Sequence, residues 1–235
     1  MSGFFDVYSI IFLVIAVVIF MRLGSVLGRR TGNEPTSFDP SVKRSSRAAP
    51  SGNDNVVALP RREQGADTRT EAAHLEAIAR HAEPGTDLHG RLLALVRAMP
   101  GFDLDHFLAG AKAAYEMIVT AFADGDRQVL RNLLANDVYE GFVAAIEERE
   151  KRGERMESTF VGIEDARIQD AELDGRTARI SIRFVSELIS VTRNKDGEVV
   201  DGDPAAVQNV RDVWTFARDV TSRDPNWKLV ATEAV

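Results

Sequence analysis

Chemistry in this chain would have to be built from few parts. It contains no cysteine and four histidines, none after His106. A disulfide framework, a thiolate nucleophile and a Cys-ligated metal are therefore excluded. An acid–base site needs a carboxyl or imidazole shielded from water, with a hydroxyl or second acid beside it. From residue 100 onward, Tyr115 and Tyr139 are the only tyrosines, and Asp212 shares strand parity with Trp214 and Phe216, which points it inward unless a bulge reverses the phase. Glu71, His74 and His81 could share one helix face, but with no matching carboxylate cluster they read as solvated residues and no metal or other cofactor is expected. Arg179, Arg183 and Arg211 could form a ladder on one sheet face, where acidic neighbours are the expected partners. There is no phosphate-cradling glycine loop and no nucleophile elbow. The remaining candidates are apolar. Tyr115, Ile118, Phe122, Phe142, Phe184, Trp214 and Phe216 either line a pocket or fill a core.

The elements that would position them begin with a segment of another kind. Val7 to Met21 carries no charge, with Asp6 before it and Arg22 after it. Counting Phe4 and Phe5 as interfacial and letting Arg22 snorkel extends the apolar stretch to Leu27, so residues 4–27 are expected to cross a bilayer as an uncleaved anchor. A signal peptide would carry a basic N-terminus and a small-residue cleavage site, and neither is present. Arg22, Arg29, Arg30, Lys43, Arg44 and Arg47 all follow the span, which places the remainder on the cytoplasmic side of an inner (plasma) membrane. Residues 28–67 hold Pro35, Pro40, Pro50 and Pro60 among Ser, Asn and Gly, and read as a disordered basic linker. Of the net charge of −7, residues 1–62 contribute +4 (eight basic, four acidic), so the rest is −11. An acidic domain does not suit a nucleic-acid partner.

Beyond the linker the apolar period is helical. Residues 68–99 read as a pair of short helices stopped by Pro84-Gly85 and Pro100-Gly101, which could pack on the domain, on the membrane or on a partner. Asp103 or Asp105 caps a helix to about Phe122 with Phe107, Leu108, Ala111, Tyr115 and Ile118 on its apolar face; Asp124-Gly125-Asp126 breaks it, and Asn136 is expected to cap a further helix to about Arg152. From Glu157 the period becomes that of strands. Asp174-Gly175 marks a hairpin, Thr177 to Val191 a long strand with a phase slip near Val185–Glu187 that suggests a bulge, and Val207–Val220 and Trp227–Thr232 two more. Helices followed by a curved four-stranded antiparallel sheet make an α+β domain.

The run FDLDHFLAGAKAAYEMIVTAFADGDRQVLRNLL, the helix through Phe142 and the Trp-bearing third strand resemble the TIM forty-four-like domain, the C-terminal domain of the mitochondrial inner-membrane import-motor anchor, and its membrane-anchored alphaproteobacterial relatives. The resemblance covers about residues 85–235, and the matching positions, among them Phe107, Leu108, Gly110, Ala111, Tyr115, Ile118 and Leu130 to Leu134, are packing residues. It implies an NTF2-like cone over residues 100–235 with an apolar interior, and a membrane-proximal adaptor that binds protein partners such as chaperone or translocation machinery. By analogy the helices of 68–99 would be the recruiting surface. A lipid or small apolar ligand in the cone is the alternative. An enzyme is the third reading, and would require a buried Asp or His among the rings.

Overall fold

The computed structural model describes residues 74–235, so the expected anchor, Arg22, Arg29, Arg30, the linker and the start of the expected helical pair at residues 68–73 lie outside the described residues. No helix among the described residues is long and apolar enough to cross a membrane. After a short helical segment at 74–79 come α1 (Asp87–Ala98), α2 (Leu104–Asp124), α3 (Arg127–Leu133) and α4 (Asn136–Lys151). Then follow β1 (Arg155–Asp174), β2 (Thr177–Arg193), β3 (Val199–Gly202), β4 (Gln208–Asp219) and β5 (Lys228–Ala234). This is the expected α+β order.

Caps set the helix boundaries. Thr86 starts α1 by accepting from the His89 N–H at 3.3 Å, and Asp103 starts α2 by accepting from the His106 N–H at 2.8 Å. Gly125, at φ 72°, ends α2 in the left-handed conformation that lets the Asp126 N–H return to the Ala121 carbonyl at 2.8 Å. Asp126 then caps α3 through the N–H groups of Gln128 and Val129, both at 3.0 Å. The expectation for Asn136 fails. Ala135 is the N-cap residue of α4 and makes no side-chain cap. Its N–H instead goes to the Leu229 carbonyl at 2.9 Å, tying the α3–α4 junction to β5.

The antiparallel sheet runs β1-β2-β4-β5, with β3 on β2 beyond the end of β4. It therefore has five strands, not four: the Asn194–Asp203 turn region contains β3, which pairs with Val191, Thr192 and Arg193. A two-residue loop, Gly175-Arg176, closes the β1–β2 hairpin. The expected bulge in β2 is absent. β2 stays in register with β4 from Thr177 to Leu188, and the irregularities lie in β1, where Val161, Glu164 and Gln169 are each an extra residue. All three are exposed. The sequence looks slipped because Ser186, Ser190 and Thr192 occupy the buried phase after Phe184, while Val185 and Val191 are buried on the opposite face.

One core joins helices and sheet. Leu92, Leu95 and Val96 of α1 share it with Phe107, Ala111, Tyr115 and Ile118 of α2, Ile180, Ile182 and Phe184 of β2, and Trp214 and Phe216 of β4. Large apolar side chains buried this fully are each worth about 1.5–3 kcal/mol. Ile78 and Met99 are in the same cluster, so of the placements open to the residues just before α2 it is packing on the domain that the described part adopts. A surface pairing strengthens this, because Arg80 and His81 both bind the Asp105 carboxylate at the start of α2. The Arg80 guanidinium, then His81, hold that carboxyl below the usual carboxylate range.

Candidate functional site

The Asp103 cap sets the phase of α2, and steps of four, four and three residues carry Phe107, Ala111, Tyr115 and Ile118 along one buried face. The unbroken β2–β4 register brings Phe184, Trp214 and Phe216 to meet it. Tyr115 lies at the centre. Its ring stacks on Phe184 at 4.5 Å, meets Trp214 at 4.4 Å, and stands 6.1 Å from Phe160. From Trp214 the contacts run to Phe216 at 6.5 Å, then Phe107 at 6.3 Å and Trp227 at 4.6 Å.

Of the seven predicted pocket or core residues, Phe184 and Trp214 therefore meet Tyr115, Phe216 joins them through Trp214, and Ile118 is fully buried in the same cluster. Phe122 and Phe142 meet each other instead, edge to face at 5.2 Å. Arg149 from α4 lies over the Phe122 ring at 5.4 Å. Its Nη2 donates to the carbonyls of Phe122 and Ala123, at 3.0 and 2.9 Å, and Nη1 reaches Met156 Sδ at 3.2 Å. Those carbonyls belong to the last turn of α2, where the Phe122 carbonyl also receives the Gly125 N–H at 3.3 Å and the dipole favours a cation.

A polar centre sits among the rings. Asp212 is paired across the strands with Phe184 and shares the inner face with Trp214 and Phe216, so its parity reads as expected. The Tyr115 hydroxyl donates to Asp212 Oδ2 at 2.9 Å and shares a hydrogen bond with Ser186 Oγ at 2.8 Å. Burial pushes the Asp212 carboxyl up to about 6, and the hydrogen bond from Tyr115 only partly opposes that rise. Ser186, fully buried, was not singled out from the sequence. Its signal was parity with Phe184, masked by the apparent slip. Two more groups were also missed: Gln208 Oε1 and Ser158 Oγ are buried without a hydrogen-bond partner on the same inner face.

The other candidates are dispersed. His81 is engaged by Asp105 at 2.9 Å, His74 lies at the start of the described region, and Glu71 is outside it. Arg179, Arg183 and Arg211 do lie on the outer sheet face, and Arg179 pairs with Glu172 at 3.2 Å. The centre at Asp212 thus supplies one titratable carboxyl, a hydroxyl already donating to it, and an aromatic surround.

The sequence model of the Tim44-like domain matches residues 91–234. The mitochondrial import inner membrane translocase subunit TIM44 of Mus musculus is 26% identical over 152 residues, covering 63% of this chain and 34% of that protein. The Homo sapiens protein of the same name gives the same 26% over 152 residues. A Caenorhabditis elegans relative, described as a probable subunit tin-44 of that translocase, is 28% identical over 116 residues, 48% of this chain and 27% of its own length. The chain thus spans about a third of the length of the mammalian relatives it matches. Among solved structures, the intermembrane space region of the chloroplast protein ARC6 aligns at a TM-score of 0.40 and 14% identity over 58% of this chain and 98% of that one. A member of the NTF2-like family from Streptomyces avermitilis aligns at 0.30 and 13%, over 56% and 97%.

Proposed function

Since this chain belongs to the Tim44-like domain family, we propose that it is a membrane-anchored adaptor whose domain binds protein partners at the inner face of the membrane. Residues 4–27 are the anchor, residues 28–67 the tether, and the domain an NTF2-like cone on the cytoplasmic side, as in the alphaproteobacterial branch of the resemblance. The observation that carries the reading is the family match across nearly the whole described domain, to relatives named as subunits of an inner-membrane translocase. The apolar run Val7–Met21 with basic residues only on its C-terminal side supports the location. Translocation or chaperone machinery is the class of partner.

The reading makes the chain a non-enzyme. Asp212 accepts from the Tyr115 hydroxyl, which shares a further hydrogen bond with Ser186, and among the described residues no second carboxyl or imidazole is seen in contact with it. Affinity purification of the full chain from detergent-solubilised membranes tests the adaptor role. Reproducible recovery of the same protein partner supports it, and repeated purifications without one contradict it. A second reading, a lipid or small apolar ligand held in the cone, is favoured by the aromatic cluster of Phe184 and Trp214 on Tyr115, with Phe216 on Trp214. Native mass spectrometry of the same preparation separates the two, because a carrier retains a lipid-sized adduct and an adaptor a protein-sized one.

A further inference from the structure

A strand at the edge of a sheet presents backbone N–H and C=O groups that lack protein partners, and apolar side chains beside them gain from being covered. β3 has both. Its four residues pair on one side with Val191, Thr192 and Arg193 of β2. β4, on the same edge of β2, begins only at Gln208 opposite Leu188, and β5 follows β4 no further than Ala234, opposite Asp212. Among the described residues, no strand therefore lies on the far side of β3. Val199, Val200 and Val207 are 43%, 49% and 50% exposed, so three of the eight exposed large apolar side chains among the described residues fall at this edge.

The charge around it has one sign. In residues 194–207, Asp196, Glu198, Asp201 and Asp203 stand against Lys195 alone, a net of −3. Among the described residues none of the four carboxylates is ion-paired: Glu198 accepts from the Asn194 side chain at 3.0 Å, and Asp203 from the Ala205 N–H at 2.8 Å. Such an edge fits a short extended segment, apolar along its length and basic at one end, which gains main-chain hydrogen bonds as an added strand.

The chain carries that segment itself, outside the described residues. Val56-Val57-Ala58-Leu59 is the longest uncharged apolar run within residues 28–67, it is as long as β3, and its valines suit a strand. Pro60 cannot donate to a ladder and ends the run, and Arg61-Arg62 follow. Twelve positions lead from Arg62 to His74, a span of about 40 Å when extended. That is roughly the width of a compact domain of this size. A four-residue strand binds weakly on its own, but a short tether presents it at an effective concentration on the order of 1 mM.

We propose that residues 56–62 dock on β3 of the same chain: Val56–Leu59 add a strand to its free edge and cover Val199 and Val200, while Arg61 and Arg62 meet the carboxylates around β3. The docking is independent of the adaptor reading, and either can fail without the other. With residues 4–27 as anchor, it divides the tether, so that the domain hangs from residues 28–55.

The segment precedes the domain, so it can be altered without disturbing the core, and the chain has no cysteine to confuse an introduced disulfide. Hydrogen exchange of the full chain in nonionic detergent shows the Val56–Leu59 amides protected by about tenfold or more over free coil. Val57→Pro removes that protection, and with it the protection of the β3 amides that face away from β2, while the β2–β4 ladder is unchanged. Arg61→Glu with Arg62→Glu lowers protection at both places several-fold. In a second measurement, mild oxidation of a Val57→Cys, Val200→Cys chain gives a cross-linked monomer about tenfold faster than a Val57→Cys, Met117→Cys chain, whose second cysteine is exposed on α2. Coil-like exchange at Val56–Leu59, β3 protection indifferent to Val57→Pro or to the charge reversal, or equal rates for the two cysteine pairs overturns the proposal. A cross-linked dimer in place of the monomer puts the segment on a second copy and overturns it as well.

Discussion

Asp212 has a measurable thermodynamic consequence. Its ordinary value is 3.8, and burial raises it to about 6 in the folded chain. A carboxyl whose folded pKa is raised binds its proton more tightly when folded. Its contribution to stability is fully present below the unfolded value and is lost as pH rises through the folded one. About two pH units at 1.36 kcal/mol each is a loss on the order of 3 kcal/mol between roughly pH 4 and 6. Asp212→Asn keeps an acceptor for the Tyr115 hydroxyl and removes the titration. Compared with the natural chain in chemical denaturation, the variant is expected to gain stability above pH 6 and to lose that advantage by pH 4. An equal difference at both ends would mean that Asp212 keeps its ordinary pKa. Comparing the two chains matters because Asp105, Glu150 and Asp219 are shifted downward and act in the opposite direction in both. At this scale the sequence was half legible. The parity of Asp212 with Trp214 and Phe216 was visible, but its partnership with Tyr115 is 97 residues distant in the chain and arises only from tertiary packing.

At the scale of elements, the legible parts are those fixed by local chemistry: the Asp103 cap, the Gly125 stop and the Gly175 hairpin all fall where residue type dictates. What was not legible depends on neighbours. β3 is four residues held by the end of β2, and the extra residues lie in β1, with one more in β3 and one in β5. Two predictions follow from these tertiary features. Arg149→Met keeps the aliphatic stem over Phe122 but removes the donors to the Phe122 and Ala123 carbonyls. It should cost roughly 2–4 kcal/mol in urea denaturation, the range for losing charge-assisted hydrogen bonds to partly buried carbonyls. A cost below about 0.5 kcal/mol would show that water replaces the guanidinium without penalty. Gly202 has φ 81°, and a Cβ there would lie 2.2 Å from the Ser190 carbonyl oxygen, a backbone atom that cannot turn aside. Gly202→Ala should therefore detach β3, read as loss of hydrogen-exchange protection at those amides of Val191–Arg193 that face β3, with the amides that face β1 and the β2–β4 ladder still protected. Unchanged protection there would contradict the geometry.

The whole molecule combines a family domain with an N-terminal region of different character. The residues before α2, by analogy a recruiting surface, carry Ile78, Leu92, Leu95 and Met99, which are buried in the domain's own core. Their apolar stripe is thus committed to the fold, and the exposed side of these helices and the outer sheet face remain as surfaces for a partner. The central claim is that this domain engages a protein at the membrane. Photo-crosslinking in intact membranes tests it most directly, with a photoreactive residue placed in turn at exposed positions such as Leu75, Met117 and Val200. The account predicts a reproducible crosslink from at least one of these positions to the same partner protein, lost when residues 4–27 are deleted. Crosslinks to lipid alone, or partner crosslinks unaffected by that deletion, would contradict it.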